Sequence, residues 1–137
     1  MNKIDSAIDN YKQAIEINPY FTEAYINLGI ALKNSSRNDD AIKIYEKAVS
    51  LKCKSADLYF NLGKSYWENL EVHSALESFR EAVSIRPNFL EAQKSIGKIY
   101  TERRDFDAAI EVLTKIVETN PKDSSSYDEL GLAYFRK

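Results

Sequence analysis

The sequence has few of the residues that build disulfides, metal sites and phosphate-binding loops. Its 137 residues include one cysteine, one histidine, three prolines and four glycines. A single cysteine excludes an intrachain disulfide, and one cysteine with one histidine is too few for a zinc site. The glycines are isolated from one another, so they form no phosphate-binding loop. His73 has no positioned partner in the sequence, and we therefore predict no catalytic residue, no metal and no cofactor.

Long apolar runs and an excess of positive charge are also missing. No apolar run approaches the roughly 18 residues that a membrane-spanning helix needs. The polar start of the chain, from Met1 to Ser6, does not resemble a signal peptide. The formal net charge of -2 argues against nucleic acid, whose partners usually have a basic face. We therefore expect neither a nucleic-acid nor a membrane partner, and a cytoplasmic location.

The few glycines that are present recur at a fixed spacing of 34 residues. Other residue types keep the same period: a leucine or isoleucine precedes each glycine, and an alanine follows twelve residues after the first three. The prolines also share one phase of the period. The positions concerned are Gly29, Gly63, Gly97 and Gly131, then Ala41, Ala75 and Ala109, then Pro19, Pro87 and Pro121. A period of this length is the signature of a repeat array in which each unit is one supersecondary element.

Each period contains two runs with helical spacing and no run with the alternation of a strand. In the second full period these stripes are Tyr59, Leu62, Gly63 and Tyr66, then Ala75, Leu76, Phe79, Ala82 and Val83. The small residues Gly63 and Ala75 would let the two helices approach closely. Pro87 ends the second helix, because the residue before a proline avoids the α conformation. The sequence therefore predicts an all-α chain of antiparallel helix hairpins.

These residues resemble the consensus of the tetratricopeptide repeat family, a helix–turn–helix unit of 34 residues. The match is nearly complete at Tyr59, Leu62, Gly63, Tyr66, Ala75, Phe79, Ala82 and Pro87. The resemblance implies a right-handed α-solenoid, for which we predict seven helices. The stretch Tyr25–Gly29 is also similar, more weakly, to the repeat arm of O-linked N-acetylglucosamine transferases.

The repeat phase predicts how the chain is organised. We expect a single array over 1–137, with an orphan second helix in 1–20, complete repeats at 22–55, 56–89 and 90–123, and an orphan first helix in 124–137. Three interpretations of the incomplete ends stay open. The chain is a fragment of a longer array, its final helix is the cap of the array, or its two ends dock head to tail between molecules. The edges for such self-association would be Ile4, Ile8, Tyr11, Leu130 and Tyr134.

The resemblance implies a protein-interaction module without catalysis, in which the first helices line a concave groove for an extended peptide or a partner helix. The predicted groove residues are Ile26, Asn27, Ile30, Lys33, Phe60, Asn61, Lys64, Trp67, Lys94 and Lys98. An asparagine amide can pair with both the N–H and the C=O of a peptide backbone. The isoleucines and aromatic residues of this set would favour apolar ligand residues, and the lysines would favour acidic ones. A solvated face is the simpler interpretation of a charge run.

Two other functions fit the same sequence. The chain would be the substrate-presenting arm of a larger enzyme, or a scaffold whose main partner is a second copy of itself. Docking of acidic chaperone tails is disfavoured, because only Asn61 matches the two-carboxylate clamp that some members of the family carry.

Overall fold

The computed structural model describes residues 2–137, and that part of the chain is helical, with no strand. Its helices are α1 (Lys3–Ile17), α2 (Thr22–Asn34), α3 (Asn38–Ser50), α4 (Ala56–Glu68), α5 (Val72–Ile85), α6 (Leu90–Glu102), α7 (Phe106–Thr119) and α8 (Ser124–Arg136). The prediction of seven helices is wrong, because the described residues form eight. The predicted repeats themselves require this number, since three hairpins and two single helices add up to eight.

The helices fall into two compact units, a first that ends at Ile85 and a second of Arg86–Lys137. In the first unit, which contains α1 to α5, consecutive helices pack against each other and α2 also contacts α4. Its core is built largely from large side chains with no exposure, among them Tyr25, Tyr45 and Leu58. The contact of α2 with α4 places the first helices of two successive hairpins side by side.

The second unit contains α6, α7 and α8. Here α7 packs against both of its neighbours, and α6 also contacts α8. Its core includes Ala109, Leu113, Ile116 and Ala133, with Leu130 packed against it from the side. The second unit therefore repeats, with one hairpin and one further helix, the arrangement of α2, α3 and α4.

Glycines in the middle of α2 and α4 make room for a large ring from the next helix. A Cβ atom built at Gly29 would lie 2.2 Å from the Tyr45 ring, and one built at Gly63 would lie 2.8 Å from the Phe79 ring. Both distances are too short for any side chain, so glycine is needed for close approach. This explains why the sequence places a poor helix former in mid-helix.

Four helices are followed, two residues beyond their last residue, by a non-glycine residue in the left-handed conformation. The residues are Ser36, Lys52, Leu70 and Arg104, whose φ angles lie between 60° and 63°. At each turn the left-handed residue donates to the carbonyl three residues back, and the next residue donates to the carbonyl five back, as in Leu70 N to Trp67 O and Glu71 N to Tyr66 O. This is the Schellman motif, in which glycine is the usual residue.

Replacing one of these residues with glycine should therefore stabilise the protein. Leu70 is 81% exposed, so Leu70→Gly loses little packing. A left-handed conformation costs a non-glycine residue about 1–2 kcal/mol, and the extra chain entropy of glycine offsets about 0.5–1 kcal/mol of that. We expect the free energy of unfolding to rise by about 0.5–1 kcal/mol, measured by urea denaturation. The control Lys43→Gly, in the middle of α3, should lower it by about 1 kcal/mol. Destabilisation by both changes would contradict the prediction.

Candidate functional site

A cleft of about 330 Å³ lies between α2 and α4 in the first unit. Four of the predicted groove residues line it: Ile26, Asn27, Ile30 and Asn61. Glu23 and Asp57 complete the wall, each from the first turn of its helix. The cleft thus combines two isoleucines, two amides and two carboxylates.

A second cleft of about 270 Å³ lies between α1 and α2, and Asn27 and Ile30 line both clefts. Its other lining residues are Lys3, Ile4, Ala7, Tyr11, Ala31 and Asn34. The two clefts therefore form one surface that runs from α1 across α2 to α4, which we call the α2 groove. Ile4 and Tyr11, predicted as edges for self-association, line this groove in the first unit.

The two asparagines of the α2 groove differ in their hydrogen bonding. Asn61 donates from Nδ2 to the carbonyl oxygen of Asp57, with a distance of 2.8 Å. That bond orients the amide and leaves its Oδ1 atom as an acceptor. Asn27 is exposed and makes no side-chain hydrogen bond among the described residues. Asn27 therefore has its full donor and acceptor capacity available for a ligand.

The predicted aromatic groove residues are half-buried against the hairpin core. The ring centroids of Phe60 and Phe79 are 5.7 Å apart, and those of Trp67 and Phe79 are 6.2 Å apart. Both pairs are tilted, an arrangement that aromatic rings favour. Lys64 Nζ lies 5.2 Å from the Phe60 centroid, within range of a cation–π interaction. Phe79 therefore supports both aromatic residues from behind.

Two of the predicted groove lysines have carboxylate partners on a neighbouring first helix or at its N-terminal cap. In the first unit Lys33 Nζ lies 2.6 Å from Glu68 Oε1 and ties α2 to α4. In the second unit Lys94 Nζ lies 3.2 Å from Asp123 Oδ2 and also contacts the Ser125 hydroxyl. Lys98 is exposed on α6. The charges of Lys33 and Lys94 are thus already paired, which weakens the argument for an acidic ligand at these two positions.

Asp123 caps the N-terminus of α8. Its Oδ2 atom accepts from the backbone N–H of Ser126 at 3.1 Å and from the Ser126 hydroxyl. These bonds and the neighbouring Lys94 ammonium hold the pKa of Asp123 below its usual value, with the Ser126 hydroxyl as the largest cause. The ionised form is therefore the one that the fold prefers.

The sign of the pH dependence follows from this lowered pKa. The stabilisation by Asp123 is fully present above the pKa of an unfolded aspartate and is lost as the pH falls through the lower pKa of the folded state. We expect amide exchange at Ser126, measured by NMR and normalised to its intrinsic rate, to accelerate over that acidic range. In Asp123→Ala it should be fast at all pH values. The same acid-induced acceleration in Asp123→Ala would show that another group is responsible.

The five residues predicted as edges for self-association differ in how exposed their side chains are. Ile8 is 3% exposed and belongs to the core of the first unit, so its side chain is not available as an edge for self-association. It is buried because α1 packs against α2. Tyr11 is half-buried on the same core, and Leu130 is half-buried in the second unit. Ile4 and Tyr134 are exposed.

Two further clefts were not predicted. The larger, about 400 Å³, lies among α3, α4 and α5 and has three glutamates in its wall, Glu46, Glu77 and Glu81. The other, about 390 Å³ in the second unit, is lined by Thr101, Glu102, Arg104, Phe106, Phe135 and Arg136. A signal for the first was present in the sequence, since its glutamates lie on the polar faces of two second helices. No site was predicted on those faces.

Among residues 2–137 there is no group of three or more His, Cys, Asp or Glu side chains that could hold a metal ion. His73 is exposed, with Nε2 3.3 Å from Glu77 Oε1. No helix in the described part of the chain combines the length and apolar character needed to cross a bilayer.

Comparison with known structures gives the same helical architecture. MamA is 28% identical, with a TM-score of 0.86 over 96% of this chain and 77% of its own. YrrB, described as a TPR protein with an unusual peptide-binding site, is 22% identical, with a TM-score of 0.83 over 97% of this chain and 69% of its own. A thermophilic TPR protein from Thermus thermophilus is 20% identical, with a TM-score of 0.74 over 96% of this chain and 73% of its own.

Comparison at the level of sequence identifies the family. A search of curated proteins gave no significant match. One family model, described as TPR repeat, matches residues 1–36 and 33–69, and a second, described as tetratricopeptide repeat, matches residues 71–131. Together they span most of the chain. The chain therefore belongs to the tetratricopeptide repeat family, whose repeats form protein-interaction modules and are generally non-catalytic.

Proposed function

We propose that the α2 groove binds an extended peptide of a partner protein. The observation that supports this most directly is the cleft between α2 and α4, where Asn27 and Asn61 lie 34 residues apart in the same phase of the repeat. Their amides would hold the peptide backbone without regard to its sequence. Ile26 and Ile30 would receive one apolar side chain of the ligand.

The ligand charge that the protein would favour depends on which residues the ligand contacts. Glu23 and Asp57 line the cleft between α2 and α4, and Lys33 is paired with Glu68, so this part of the groove favours an apolar residue beside a neutral or basic one. The preference for acidic residues, predicted from Lys64, Lys94 and Lys98, stays a prediction. It would apply to a ligand that reaches those lysines.

The asparagines provide the test. A hydrogen bond of this kind contributes about 1 kcal/mol net, so Asn27→Ala and Asn61→Ala should each raise the dissociation constant about fivefold. Binding would be measured by calorimetry against capped peptides selected from a library with the wild-type protein. Asn10→Ala is the matched control, because Asn10 makes the same bond to the carbonyl four residues back, with Ser6, but lies outside the groove.

Two results would contradict the proposal. One is that no peptide of the library saturates the protein, and the other is that Asn27→Ala and Asn61→Ala bind as tightly as Asn10→Ala. Either result would mean that the α2 groove is not the surface that binds a partner.

For the organisation of the chain, we propose that the three hairpins correspond to the repeats predicted at 22–55, 56–89 and 90–123. The helix pairs α2–α3, α4–α5 and α6–α7 lie inside those ranges, which supports the assignment. Self-assembly and service as an enzyme arm stay as predictions from the sequence.

A further inference from the structure

The cleft among α3, α4 and α5 has an apolar floor and an acidic wall. We call it the acidic cleft, after Glu46 from α3 and Glu77 and Glu81 from α5. Val49 and Leu62 lie among its apolar lining residues, and Tyr59 and Tyr66 from α4 supply two aromatic rings. It shares no lining residue with the α2 groove, and all its residues belong to the first unit.

Burial and the neighbouring glutamates both raise the pKa of the two tyrosines of the cleft. The Tyr66 hydroxyl donates to Glu46 Oε1, and burial followed by this bond and the Glu46 charge raises the pKa of Tyr66. Burial and then the Glu81 charge raise the pKa of Tyr59. The third carboxylate, Glu77, faces the exposed His73, whose Nε2 lies 3.3 Å away. A cation placed between the rings and the carboxylates would therefore gain from both.

The repeat indicates that these helical positions do not require a carboxylate. One period earlier, the positions of Glu46, Glu77 and Glu81 are occupied by lysines, namely Lys12, Lys43 and Lys47. All three lysines are exposed on α1 and α3. The same helical positions thus accept either sign of charge, and three acids meet at this cleft where the preceding period has three lysines.

We propose that the acidic cleft binds a lysine or arginine side chain from a basic segment of a partner protein. The methylene groups of such a side chain would lie on the apolar floor, as long cationic side chains do on apolar surfaces. The charged end would face the glutamates and the tyrosine rings, which gives charge-assisted hydrogen bonds and cation–π contacts. The occupant is a side chain of this kind rather than a small cation, because the cleft offers an apolar floor as well as charge.

Matched peptides test the ligand chemistry. The probe is a capped pentapeptide with a central lysine flanked by leucines, compared with the same peptide carrying norleucine, which keeps the stem and removes the charge. We expect saturable NMR shifts at the amides of residues 46–50 and 74–81, which lie outside the α2 groove. The norleucine peptide should bind about tenfold more weakly or worse, since the glutamates are then left without a cationic partner. Raising the salt should weaken the lysine peptide only, because screening acts on the charge.

Charge reversal tests the site. Glu77→Lys and Glu81→Lys introduce the residues that Lys43 and Lys47 supply one period earlier, so both variants should fold, as circular dichroism would verify. Each should weaken the lysine peptide about tenfold or more. Glu118→Lys makes the same change of net charge in the second unit and should leave binding unchanged. Asn27→Ala should leave the peptide-induced shifts at residues 46–50 and 74–81 unchanged, which separates this site from the α2 groove.

Three outcomes would overturn the proposal. The norleucine peptide binds as tightly as the lysine peptide, or the folded Glu77→Lys and Glu81→Lys variants bind like the wild type. The third is that Mg²⁺ or putrescine alone shifts the same amides and displaces the peptide completely, which would make the cleft a site for small cations.

Discussion

Replacing Phe79 with alanine is expected to lower the free energy of unfolding by about 4 kcal/mol, within the range for buried phenylalanines. The side chain is 1% exposed, and its ring fills the space above Gly63. The rings of Phe60 and Trp67 pack against the Phe79 ring. The substitution therefore leaves a cavity that a short alanine cannot fill, and it removes the support of two neighbouring aromatic side chains.

The measurement is urea denaturation followed by circular dichroism. Trp67 fluorescence should also change in the folded variant, because its aromatic neighbour is gone. Phe135→Ala is the control, since Phe135 is 89% exposed and its loss should change stability by no more than about 0.5 kcal/mol. If Phe79→Ala costs no more than Phe135→Ala, the ring does not hold the hairpin together.

Gly29→Ala is expected to lower the free energy of unfolding by about 2 kcal/mol. Overpacking a tight core costs up to about 3 kcal/mol, and the better helix propensity of alanine returns about 1 kcal/mol. The new Cβ would lie 2.2 Å from ring atoms of Tyr45, a side chain with no exposure. The ring cannot swing into solvent, so α2 and α3 must move apart. The same denaturation experiment measures the effect.

The other glycines provide a graded series for comparison. The distance from a built Cβ to the nearest side-chain atom is 2.8 Å at Gly63 and 3.1 Å at Gly97, and nothing lies within 4 Å of one at Gly131. The cost should fall in that order and change sign at Gly131→Ala, which should stabilise α8 by up to about 1 kcal/mol. Equal changes in the free energy of unfolding for Gly29→Ala and Gly131→Ala would show that helix propensity alone sets the cost, and that close approach does not contribute.

The 34-residue period predicted the type of every element, because one hairpin pattern is repeated and the residues on each stripe are buried or half-buried. It also predicted close approach at Gly63. The pattern did not identify the side chain that lies against Gly63, which in the structure is the Phe79 ring. Periodicity tells on which face of its own helix a residue lies. It does not tell which atom of the neighbouring helix that face meets.

The same limit explains what was missed at the sites. Asn27, Asn61 and the isoleucines were chosen from their phase, and α2 and α4 bring them to one cleft. The pairing of Lys33 with Glu68 spans two hairpins and depends on the conformations of two long side chains. The acidic cleft needs three helices to meet, with Glu46 on one and Glu81 on another. Neither the Lys33–Glu68 pair nor the acidic cleft can be predicted from the order of residues along one helix.

The four turns that lack glycine have a consequence for how the protein folds. Nothing in the local sequence around Ser36, Lys52, Leu70 or Arg104 favours a left-handed residue, so the chain has little intrinsic tendency to reverse there. Beyond the two local hydrogen bonds of each turn, the reversal gains its stabilisation from the docking of the next helix. A peptide containing a single hairpin should therefore stay largely unstructured in water, and helix formation should spread from one packed pair to the next. Cooperativity in this array thus resides in the interfaces and not in the turns.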